Sequence, residues 1–249
     1  MSFLVVRGNR VILVIGCGFV GETIAKSLEL NGHIVGRVDP KIGTYISSFT
    51  DYNSAIICLP TPTVEGKCDD SLIRDVITQL DGIPILLKST VPPDLVDTYP
   101  ENVSYYPEFL RANSAHEDFS NQKFMILGGS HNQLFYWKHV FSYLDIDIIE
   151  TDVKTASMVK YMHNVWLATK VAFFHEIYSL VPECNFYSMV SILSKFPNIG
   201  PSHMMAPNDE GKLGFGGHCF PKDTEAFLDF SNSEILKKVI EVNNKLRDM

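Results

Sequence analysis

The sequence predicts an α/β fold in which a doubly wound sheet is followed by a long connecting helix and a small all-helical domain. Over residues 1–151, apolar runs of strand length alternate with stretches of helical periodicity. A glycine-rich turn at residues 16–21 separates the first of these strands from the first helix. Residues 153–181 then contain neither glycine nor proline, which is typical of one long helix. Together these observations predict a Rossmann-type domain joined to a helical one.

The first strand and the first helix surround the glycine turn. Residues Val11–Ile15 form a continuous apolar run, which is typical of a strand buried on both faces. Residues 22–30 have helical periodicity, and Asn31 and Gly32 end this helix. A second short strand is predicted over residues 34–38, directly before Asp39. Strand, turn, helix and strand in this order begin a parallel sheet.

The alternation continues through the rest of the first domain. Further strands are predicted over residues 55–59, 84–87 and 124–127, and helices over residues 71–80 and 133–144. We therefore predict one domain at 1–151, and the long helix with the small helical domain at 152–249. A helix over 153–181 would be about 40 Å long. Its apolar residues occupy more than one side, so we expect it to pack against both domains and to form a homodimer.

The composition excludes several classes of protein. No apolar run approaches the roughly 20 residues that span a bilayer, so no membrane partner is expected. The net charge of −8 disfavours a general nucleic-acid binder. The five cysteines lack the spacing of a zinc site or a disulfide framework, so we predict free thiols and no bound metal. With no convincing secretory cleavage site, a cytoplasmic location is expected.

The glycine turn has the spacing of a dinucleotide site. Gly16, Gly18 and Gly21 lack the side chains that would obstruct a tight turn, a pyrophosphate and the packing of the helix. Asp39 follows the second strand near the usual distance, roughly 20 residues, for a carboxylate that binds a ribose diol. That carboxylate favours NAD over NADP, although nearby Arg37 reduces the preference. The predicted NAD-binding residues are Gly16, Gly18, Phe19, Val20, Gly21 and Asp39, whereas Cys17 is predicted to be a packing residue.

A second glycine-rich segment, residues 214–223, contains a cysteine that is a candidate nucleophile. Cys219 directly precedes a stretch of helical composition, and a helix N-terminus and nearby Lys222 both favour the thiolate. The thiolate is the form that attacks an electrophile. A cysteine among glycines is nevertheless more often buried and inert, so this segment alone leaves both interpretations open.

A series of ordered motifs indicates a known family. They are the glycine turn, LPTP at 59–62, KSTVP at 88–92, PEFLR at 107–111, a helix from Lys160 to Glu176, and GFGGHCFPKD at 214–223. With these motifs the chain resembles the UDP-glucose/GDP-mannose dehydrogenase family over nearly its whole length. The resemblance implies an NAD-dependent, four-electron oxidation of the primary alcohol of a UDP-sugar to a uronic acid, with UDP-glucose to UDP-glucuronate favoured.

The resemblance also implies catalytic roles. Cys219 would attack the intermediate aldehyde to give a thiohemiacetal, whose oxidation leaves a thioester. Lys160 and Asn164 would stabilise the developing oxyanion, and their separation of four residues puts them on one face of the predicted helix. Glu108 would be the general base for thioester hydrolysis, and Asp223 would position or activate water.

Further residues are carried over from the same resemblance. Thr90 would hold a catalytic water, and Thr61 and Thr90 follow apolar strands at the edge of the sheet where ligands bind, so both are expected near NAD. On the sequence alone, without the resemblance, the preferred interpretation is a pair of strand-end caps. The residues predicted to bind the substrate are Phe109, Leu110, Arg111, Lys160, Asn164 and Gly216. Four histidines are given no catalytic role: His203 and His218 as loop residues, His163 and His175 as packing residues of the long helix.

Three features depart from the family pattern. Full-length relatives carry a further Rossmann-like domain that binds much of the nucleotide, so a short form without this UDP-binding domain is expected. Ala112 occupies a position that is often a second glutamate, and Asn198 replaces an arginine that reaches the substrate of a neighbouring subunit. Both substitutions weaken the expectation of complete four-electron activity.

Two alternatives therefore stay open. One is a two-electron β-hydroxyacid dehydrogenase, which joins the same kinds of domain, uses a lysine on the long helix and needs no cysteine. The other is a protein that binds NAD or a nucleotide sugar with impaired catalysis. The number of NADH formed per substrate distinguishes these alternatives from the favoured function.

Overall fold

The structure is a computed structural model that describes residues 11–80, 82–208 and 211–249. These residues form two compact units. The first contains the described residues up to Pro62 together with Asp69–Lys160, and the second contains Thr63–Cys68 and Tyr161–Met249. The predicted domains, 1–151 and 152–249, stay a prediction, and residues 1–10 lie outside the described part of the chain.

The first unit is built on a seven-stranded sheet with the strand order β2-β1-β3-β6-β7-β8-β9. Neighbouring strands are parallel except for β7 and β8, which pair antiparallel at Tyr105 and Gly128. Strands β4 and β5 form a separate antiparallel hairpin. The strands are β1 (Val11–Ile15), β2 (Val35–Val38), β3 (Tyr52–Ile57), β4 (Thr63–Val64), β5 (Lys67–Cys68), β6 (Ile85–Leu87), β7 (Val103–Tyr105), β8 (Phe124–Gly128) and β9 (Asp147–Thr151).

The helices follow the strands in the alternation that the sequence predicts. In the described residues they are α1 (Phe19–Leu30), α2 (Ser71–Gln79), α3 (Pro93–Val96), α4 (Ala115–Asn121), α5 (His131–Val140), α6 (Val153–Leu180), α7 (Glu183–Leu193), α8 (Phe220–Ser231) and α9 (Glu234–Arg247). Short 3₁₀ turns lie at Pro40–Ile42, Ile46–Ser48 and Ala112–Ser114. The mostly parallel sheet, the long helix α6 and the helices after it confirm the predicted fold class.

Both faces of the sheet are buried, as a doubly wound fold requires. Successive residues of a strand point to opposite faces, so neighbours belong to different apolar clusters. Leu13 and Ile57 pack with Ile73 and Val76 of α2 on one face. Val14 packs with residues of α1 and α5 on the other. The sheet is therefore packed on both sides. The LPTP, KSTVP and PEFLR segments follow β3, β6 and β7 at its carboxyl-terminal edge.

The sequence prediction differs from the structure at particular elements. Helix α1 begins at Phe19 rather than at residue 22, because Gly21 lies inside the helix and conceals its start. Strands β7 and β9 and the β4–β5 hairpin were not predicted. The hairpin strands have two residues each, too few for any periodicity, and β9 is largely solvent-exposed.

The second unit has its own apolar clusters around α6. Phe174 of α6 packs with Phe186 and Val190 of α7. Ala168, Val171 and Ala172 of α6 pack with Phe215, beside Phe220 of α8 and Val239 of α9. Helix α6 therefore supports the segment that contains Cys219. In the part of the chain that the structure describes, no helix is both long and apolar enough to cross a membrane.

Candidate active site

The glycine turn leaves one open position at the start of α1. Gly16 has φ +89°, and a Cβ there would lie 2.6 Å from Cys58 O. A Cβ on Gly21 would lie only 1.9 Å from Gly16 O. A Cβ on Gly18, the N-cap of α1, would meet no protein atom within 4 Å. Gly16 and Gly21 are therefore required by packing, whereas Gly18 presents a bare helix N-terminus of the kind that suits a pyrophosphate.

Asp39 ends β2 beside this turn. Its Oδ2 accepts a hydrogen bond from Cys17 N and its Oδ1 one from Lys41 N, both at 2.9 Å. The bonds from Lys41 and Cys17 lower the pKa of Asp39, so the carboxylate is ionised and fixed in orientation. A carboxylate oxygen has two lone pairs and can accept a further bond, such as one from a ribose hydroxyl.

Arg37 is held away from a role in binding a phosphate. Its Nε pairs with Glu22 Oε2 at 2.9 Å and its Nη1 with Glu29 Oε1 at 2.5 Å. The hydrogen bonds that Arg37 donates to Glu29 and Glu22 raise its pKa. The residues around Gly18 and Asp39 thus fit NAD, and the guanidinium that would best fit the extra phosphate of NADP is already paired.

Thr61 and Thr90 are joined at the edge of the sheet. Thr61 is buried, and its Oγ1 donates to Thr90 O at 2.8 Å. In the next peptide, Val91 O accepts from Ser157 Oγ of α6 at 2.5 Å. The KSTVP segment after β6 is therefore fixed by side chains from two other elements. For Thr61 this is the strand-end bonding that the sequence left open as an alternative.

Glu108 forms a buried ion pair with a lysine that the sequence interpretation missed. Lys88 Nζ lies 3.1 Å from Glu108 Oε2, and the Lys88 side chain is only 2% exposed. The same ammonium lies 3.3 Å from the centroid of the Tyr106 ring. Glu108 Oε1 accepts from Leu110 N at 2.5 Å. Lys88 was visible in the KSTVP motif directly after a buried strand, but nothing in the sequence indicated its partner.

Lys160 of α6 lies in the first unit beside the PEFLR segment. Its Nζ donates to Glu108 O and lies 5.1 Å from the centroid of the Phe109 ring. Arg111, in contrast, is exposed, and its Nη2 pairs with Asp118 Oδ1 at 2.6 Å. In this unit the structure thus brings together Lys88, Glu108, Phe109 and Lys160, while the Arg111 guanidinium is engaged elsewhere.

Asn164 and Asp223 are hydrogen-bonded in the second unit. Asn164 Nδ2 donates to Asp223 Oδ2 at 2.6 Å, and Lys222 Nζ lies 2.6 Å from Asp223 Oδ1. His163 Nδ1 lies 3.0 Å from Asn164 Oδ1. Asp223 is 1% exposed, so these partners take the place of water around its carboxylate. The predicted carboxylate and the predicted amide therefore belong to one buried network.

Cys219 is the exposed N-cap of α8. Its carbonyl accepts the first helical hydrogen bond, from Asp223 N at 2.8 Å, so Cys219 and Asp223 are one turn apart. A helix N-terminus stabilises a thiolate. Burial, followed by Asp39 and Glu22, raises the pKa of Cys17. Burial raises the pKa of Cys58 to about 12. These two thiols stay protonated at neutral pH, in contrast to what a nucleophile requires.

The segment before Cys219 is held by three residues that were given no functional role from the sequence. His175 Nδ1 accepts from Gly214 N at 2.9 Å. Asn243 Oδ1 of α9 accepts from Phe215 N at 2.6 Å. A Cβ on Gly216 would lie 3.0 Å from Arg247 Nη1, so the Arg247 guanidinium of α9 packs closely on this glycine. These contacts join residues about 30 positions apart, so no local sequence pattern predicts them.

The two substituted positions lie in different surroundings. Ala112 begins a 3₁₀ turn, and its side chain lies outside what the structure describes. Asn198 precedes Ile199 and Gly200, whose carbonyls accept from Lys170 Nζ at 2.8 and 3.0 Å. Lys170 thus fixes the segment in which the family pattern has an arginine. Among the described residues there is no group of three or more histidine, cysteine, aspartate or glutamate side chains that would hold a metal ion.

Comparisons with known proteins agree with these motifs. Residues 154–245 match the model of the UDP-glucose/GDP-mannose dehydrogenase family, central domain. A UDP-glucose 6-dehydrogenase of Bacillus subtilis (YwqF) is 30% identical over 188 residues, which are 72% of this chain and 42% of the relative. One from Rickettsia felis is 28% identical over an alignment that covers 98% of this chain and 65% of the relative.

The fold has a solved counterpart. The structure of a UDP-glucose dehydrogenase from the archaeon Pyrobaculum islandicum superposes with a TM-score of 0.80 at 26% identity, covering 97% of this chain and 70% of that one. The chain spans about two fifths of the length of the first of these relatives and about two thirds of the second. Residues 154–245 thus match the central domain of the UDP-glucose/GDP-mannose dehydrogenase family, and over most of its length the chain is homologous to UDP-glucose 6-dehydrogenases.

Proposed function

We propose that the protein catalyses the NAD-dependent, four-electron oxidation of the primary alcohol of a UDP-sugar to a carboxylate. The observation that carries the proposal is the position of Cys219, exposed at the N-cap of α8 and one turn from Asp223, whose buried carboxylate is bonded to Asn164. This is the arrangement of a nucleophile with polar partners rather than of a packing cysteine. The names of the relatives, UDP-glucose 6-dehydrogenases, favour UDP-glucose as the substrate.

The glycine turn and Asp39 are proposed to bind NAD. When bound, NAD accepts the hydride in each of the two oxidations. Gly18 supplies the open helix N-terminus for the pyrophosphate, and Asp39 supplies a fixed, ionised carboxylate for the ribose diol. Phe19 and Val20 begin α1 and provide further backbone amides at the same end of the helix.

The first oxidation converts the alcohol to an aldehyde. The alcohol carbon loses a hydride to NAD, and the hydroxyl loses its proton to water. The Cys219 thiolate then adds to the aldehyde carbon, forming a C–S bond and a thiohemiacetal oxyanion. Lys160 and Asn164, one helical turn apart on α6, are proposed to stabilise that oxyanion.

The second oxidation and a hydrolysis complete the reaction. Loss of a second hydride converts the thiohemiacetal to a thioester. Water, deprotonated by Glu108, attacks the thioester carbon; the C–S bond breaks, and the carboxylate and the Cys219 thiol are released. The contacts of the Glu108 carboxylate with Leu110 N and Lys88 hold it in one orientation, which supports this role. Asp223 and Thr90 are proposed to position water, and Phe109, Leu110, Arg111 and Gly216 to contact the sugar nucleotide.

Helix α6 is proposed to form a homodimer interface. Val159, Trp166, Phe173 and Leu180 are exposed apolar residues of α6 that follow one another at intervals of seven. This spacing puts them on one side of the helix, as in a helix–helix seam. A second copy of the same chain provides a matching surface. The cytoplasmic location stays a prediction.

The test is the stoichiometry of NADH with purified protein and a panel of UDP-glucose, UDP-galactose, GDP-mannose and N-acetylated UDP-sugars. We expect two NADH and one uronic acid per UDP-sugar. Cys219→Ser should abolish acid formation, while the control Cys184→Ser, which changes another exposed cysteine, should leave it intact. Unchanged acid formation by Cys219→Ser would refute the proposed mechanism.

Two other outcomes correspond to the alternatives. One NADH per substrate, unaffected by Cys219→Ser, would indicate a two-electron dehydrogenase that uses Lys160. Calorimetric binding of NAD and UDP-glucose with no NADH at any pH would indicate a binding protein. The exposed Cys219 at the N-cap of α8, which neither alternative needs, is the observation that favours the four-electron reaction over both.

A further inference from the structure

His175 has both ring nitrogens committed to backbone groups. It lies on α6 and is 2% exposed. Nε2 lies 2.8 Å from Met205 O, and Nδ1 lies 2.9 Å from Gly214 N. A backbone N–H can only donate, so Nδ1 must accept, and Nε2 must carry the hydrogen that it donates to Met205 O. The geometry therefore requires a neutral imidazole in one tautomer.

The Gly214 bond is one of two successive anchors on the nucleophile segment, residues 214–219. The next amide, Phe215 N, donates to Asn243 Oδ1 at 2.6 Å. Gly214 has φ +75°, and a Cβ on this residue would lie only 2.7 Å from Asn243 Oδ1. The chain then turns again at Gly217, with φ +76°, and reaches Cys219. Where Cys219 begins α8 thus depends on how Gly214 and Phe215 are held.

We propose that His175 is a positioning residue for the nucleophile, and that it holds the segment 214–219 only while its imidazole is neutral. The proposal rests on the proposed function in that Cys219 is taken as the nucleophile. Protonation would place a hydrogen on Nδ1, facing the hydrogen of Gly214 N, so an acceptor would be replaced by a donor at 2.9 Å. The segment would then be released from α6.

The groups around His175 oppose its protonation. Burial lowers the pKa of His175 below its usual value of 6.5, and the bond to Met205 O only partly compensates. From α9, the cation Arg247 packs on the segment: a Cβ on Gly214 would lie 3.1 Å from its Cγ. From α7, Tyr187 donates to Ala206 O at 3.3 Å, and its pKa is raised above 10, so it stays neutral. The described contacts place no carboxylate on the imidazole.

The sign of the pH dependence follows. Because the folded-state pKa is lowered, the unfolded chain binds the proton more readily. The stabilisation from neutral His175 is complete above about pH 6.5 and is lost as the pH falls from there through the folded-state pKa. Cys219 should therefore lose its position in mild acid, before the whole protein unfolds.

The experiment measures amide hydrogen exchange at residues 214–215 and kcat on UDP-glucose between pH 5 and 8, with exchange corrected for its intrinsic pH dependence. In the wild-type chain we expect protection at 214–215 and kcat to fall together, at least tenfold, as the pH falls from 6.5 to 5. His175→Asn keeps a hydrogen-bonding amide that does not titrate, so its protection and kcat should vary less than threefold over this range. His139→Asn, an exposed histidine on α5, is the control and should behave as wild type.

The outcomes separate this proposal from the proposed function. Protection at 214–215 that does not change with pH in the wild type would overturn the role of His175, whatever the activity. A pH-dependent loss of protection without any NADH formation would support the role of His175 and argue against the proposed function. If His175→Asn does not fold, the wild-type exchange profile decides, together with an NMR titration of His175: a shared midpoint supports the proposal and separate midpoints overturn it.

Discussion

Asn164 Nδ2 donates a hydrogen bond to Asp223 Oδ2 across 2.6 Å, joining the long helix α6 to the first turn of α8. Both residues are at least 96% buried. The bond fixes the direction of the Asn164 amide and, because Asp223 N donates to Cys219 O, it also fixes the helix end on which Cys219 lies. Structure and proposed chemistry therefore depend on the same pair.

Changing Asp223 to Asn should impair both stability and turnover. The carboxylate accepts from Asn164 and pairs with Lys222, and an amide removes the negative charge from this buried contact. We expect a loss of roughly 1–3 kcal/mol in the free energy of unfolding and a decrease in kcat of at least about 100-fold, comparable to removal of a positioned acid–base group. Urea denaturation and NADH absorbance measure the two. Asp229→Asn, an exposed position on the same helix, should change neither, and equal behaviour of the two variants would contradict the prediction.

Two glycines of the turn that is proposed to bind NAD should respond differently to alanine. Gly18→Ala meets no protein atom, and φ −71° is allowed for alanine, so we expect a stability loss below about 1 kcal/mol. Its methyl group occupies the place proposed for the pyrophosphate, so NAD affinity should fall at least tenfold. Gly21→Ala puts a methyl 1.9 Å from Gly16 O and should cost about 3 kcal/mol or more. Thermal melts and calorimetric titration with NAD distinguish them; a Gly18→Ala protein that binds NAD normally would remove Gly18 from the site.

The buried pair of Lys88 and Glu108 should be costly to break on one side. Lys88→Met removes the positive charge beside the buried Glu108 carboxylate, which keeps its hydrogen bond from Leu110 N. We expect the free energy of unfolding to fall by roughly 3–5 kcal/mol. The double variant Lys88→Met/Glu108→Leu removes both charges and should recover much of that loss. Lys154→Met breaks the exposed pair with Asp97 and should cost less than about 1 kcal/mol. Urea denaturation of the four proteins tests this, and equal losses for Lys88→Met and Lys154→Met would contradict it.

Cofactor preference should depend on Arg37 as well as on Asp39. Asp39→Ser removes the carboxylate that is proposed to bind the ribose, so NAD affinity should fall about tenfold. NADP affinity should rise little, since Arg37 stays paired with Glu22 and Glu29. Adding Glu29→Gln weakens that pairing and should raise NADP affinity further. Because hydrogen bonds lower the pKa of Asp39, the wild-type affinity for NAD should be constant from pH 5 to 8. Fluorescence titration with both dinucleotides is the measurement; tight NADP binding by Asp39→Ser alone would show that Arg37 is accessible.

The apolar stripe of α6 should be necessary for the proposed dimer. Trp166, 63% exposed, lies in the middle of the stripe. Trp166→Glu would bury a charge in the interface, and we expect a monomer by light scattering under conditions in which the wild-type chain is a dimer. Phe135→Glu, which changes an exposed aromatic residue of α5, should leave the dimer unchanged. A wild-type monomer, or a dimeric Trp166→Glu protein, would exclude this interface.

Local patterns in the sequence were sufficient for the alternation of strands and helices, the glycine turn, Asp39 and the long helix. Each depends on neighbours within a few residues, because backbone conformation and burial of one face are local preferences. The motifs also identified Cys219, Lys160, Asn164, Glu108 and Asp223 as a set, although their roles remain proposals. Short strands such as β7, and the start of α1 at Phe19, were beyond this kind of prediction.

Tertiary structure alone decided which side chains are partners. Lys88 forms an ion pair with Glu108, twenty residues later in the chain. Asn164 donates a hydrogen bond to Asp223 on another helix, and His175 accepts one from Gly214 N. The sequence could not decide this, because the free energy of a buried polar group depends on whether its partner is within hydrogen-bonding distance, and that distance is set by how distant segments pack. For the same reason Arg37, which on the sequence competed with the choice of NAD, is removed from the site by two glutamates of α1. The sequence thus specified the chemical groups, and the packing within each unit determined which of them are hydrogen-bonded or ion-paired.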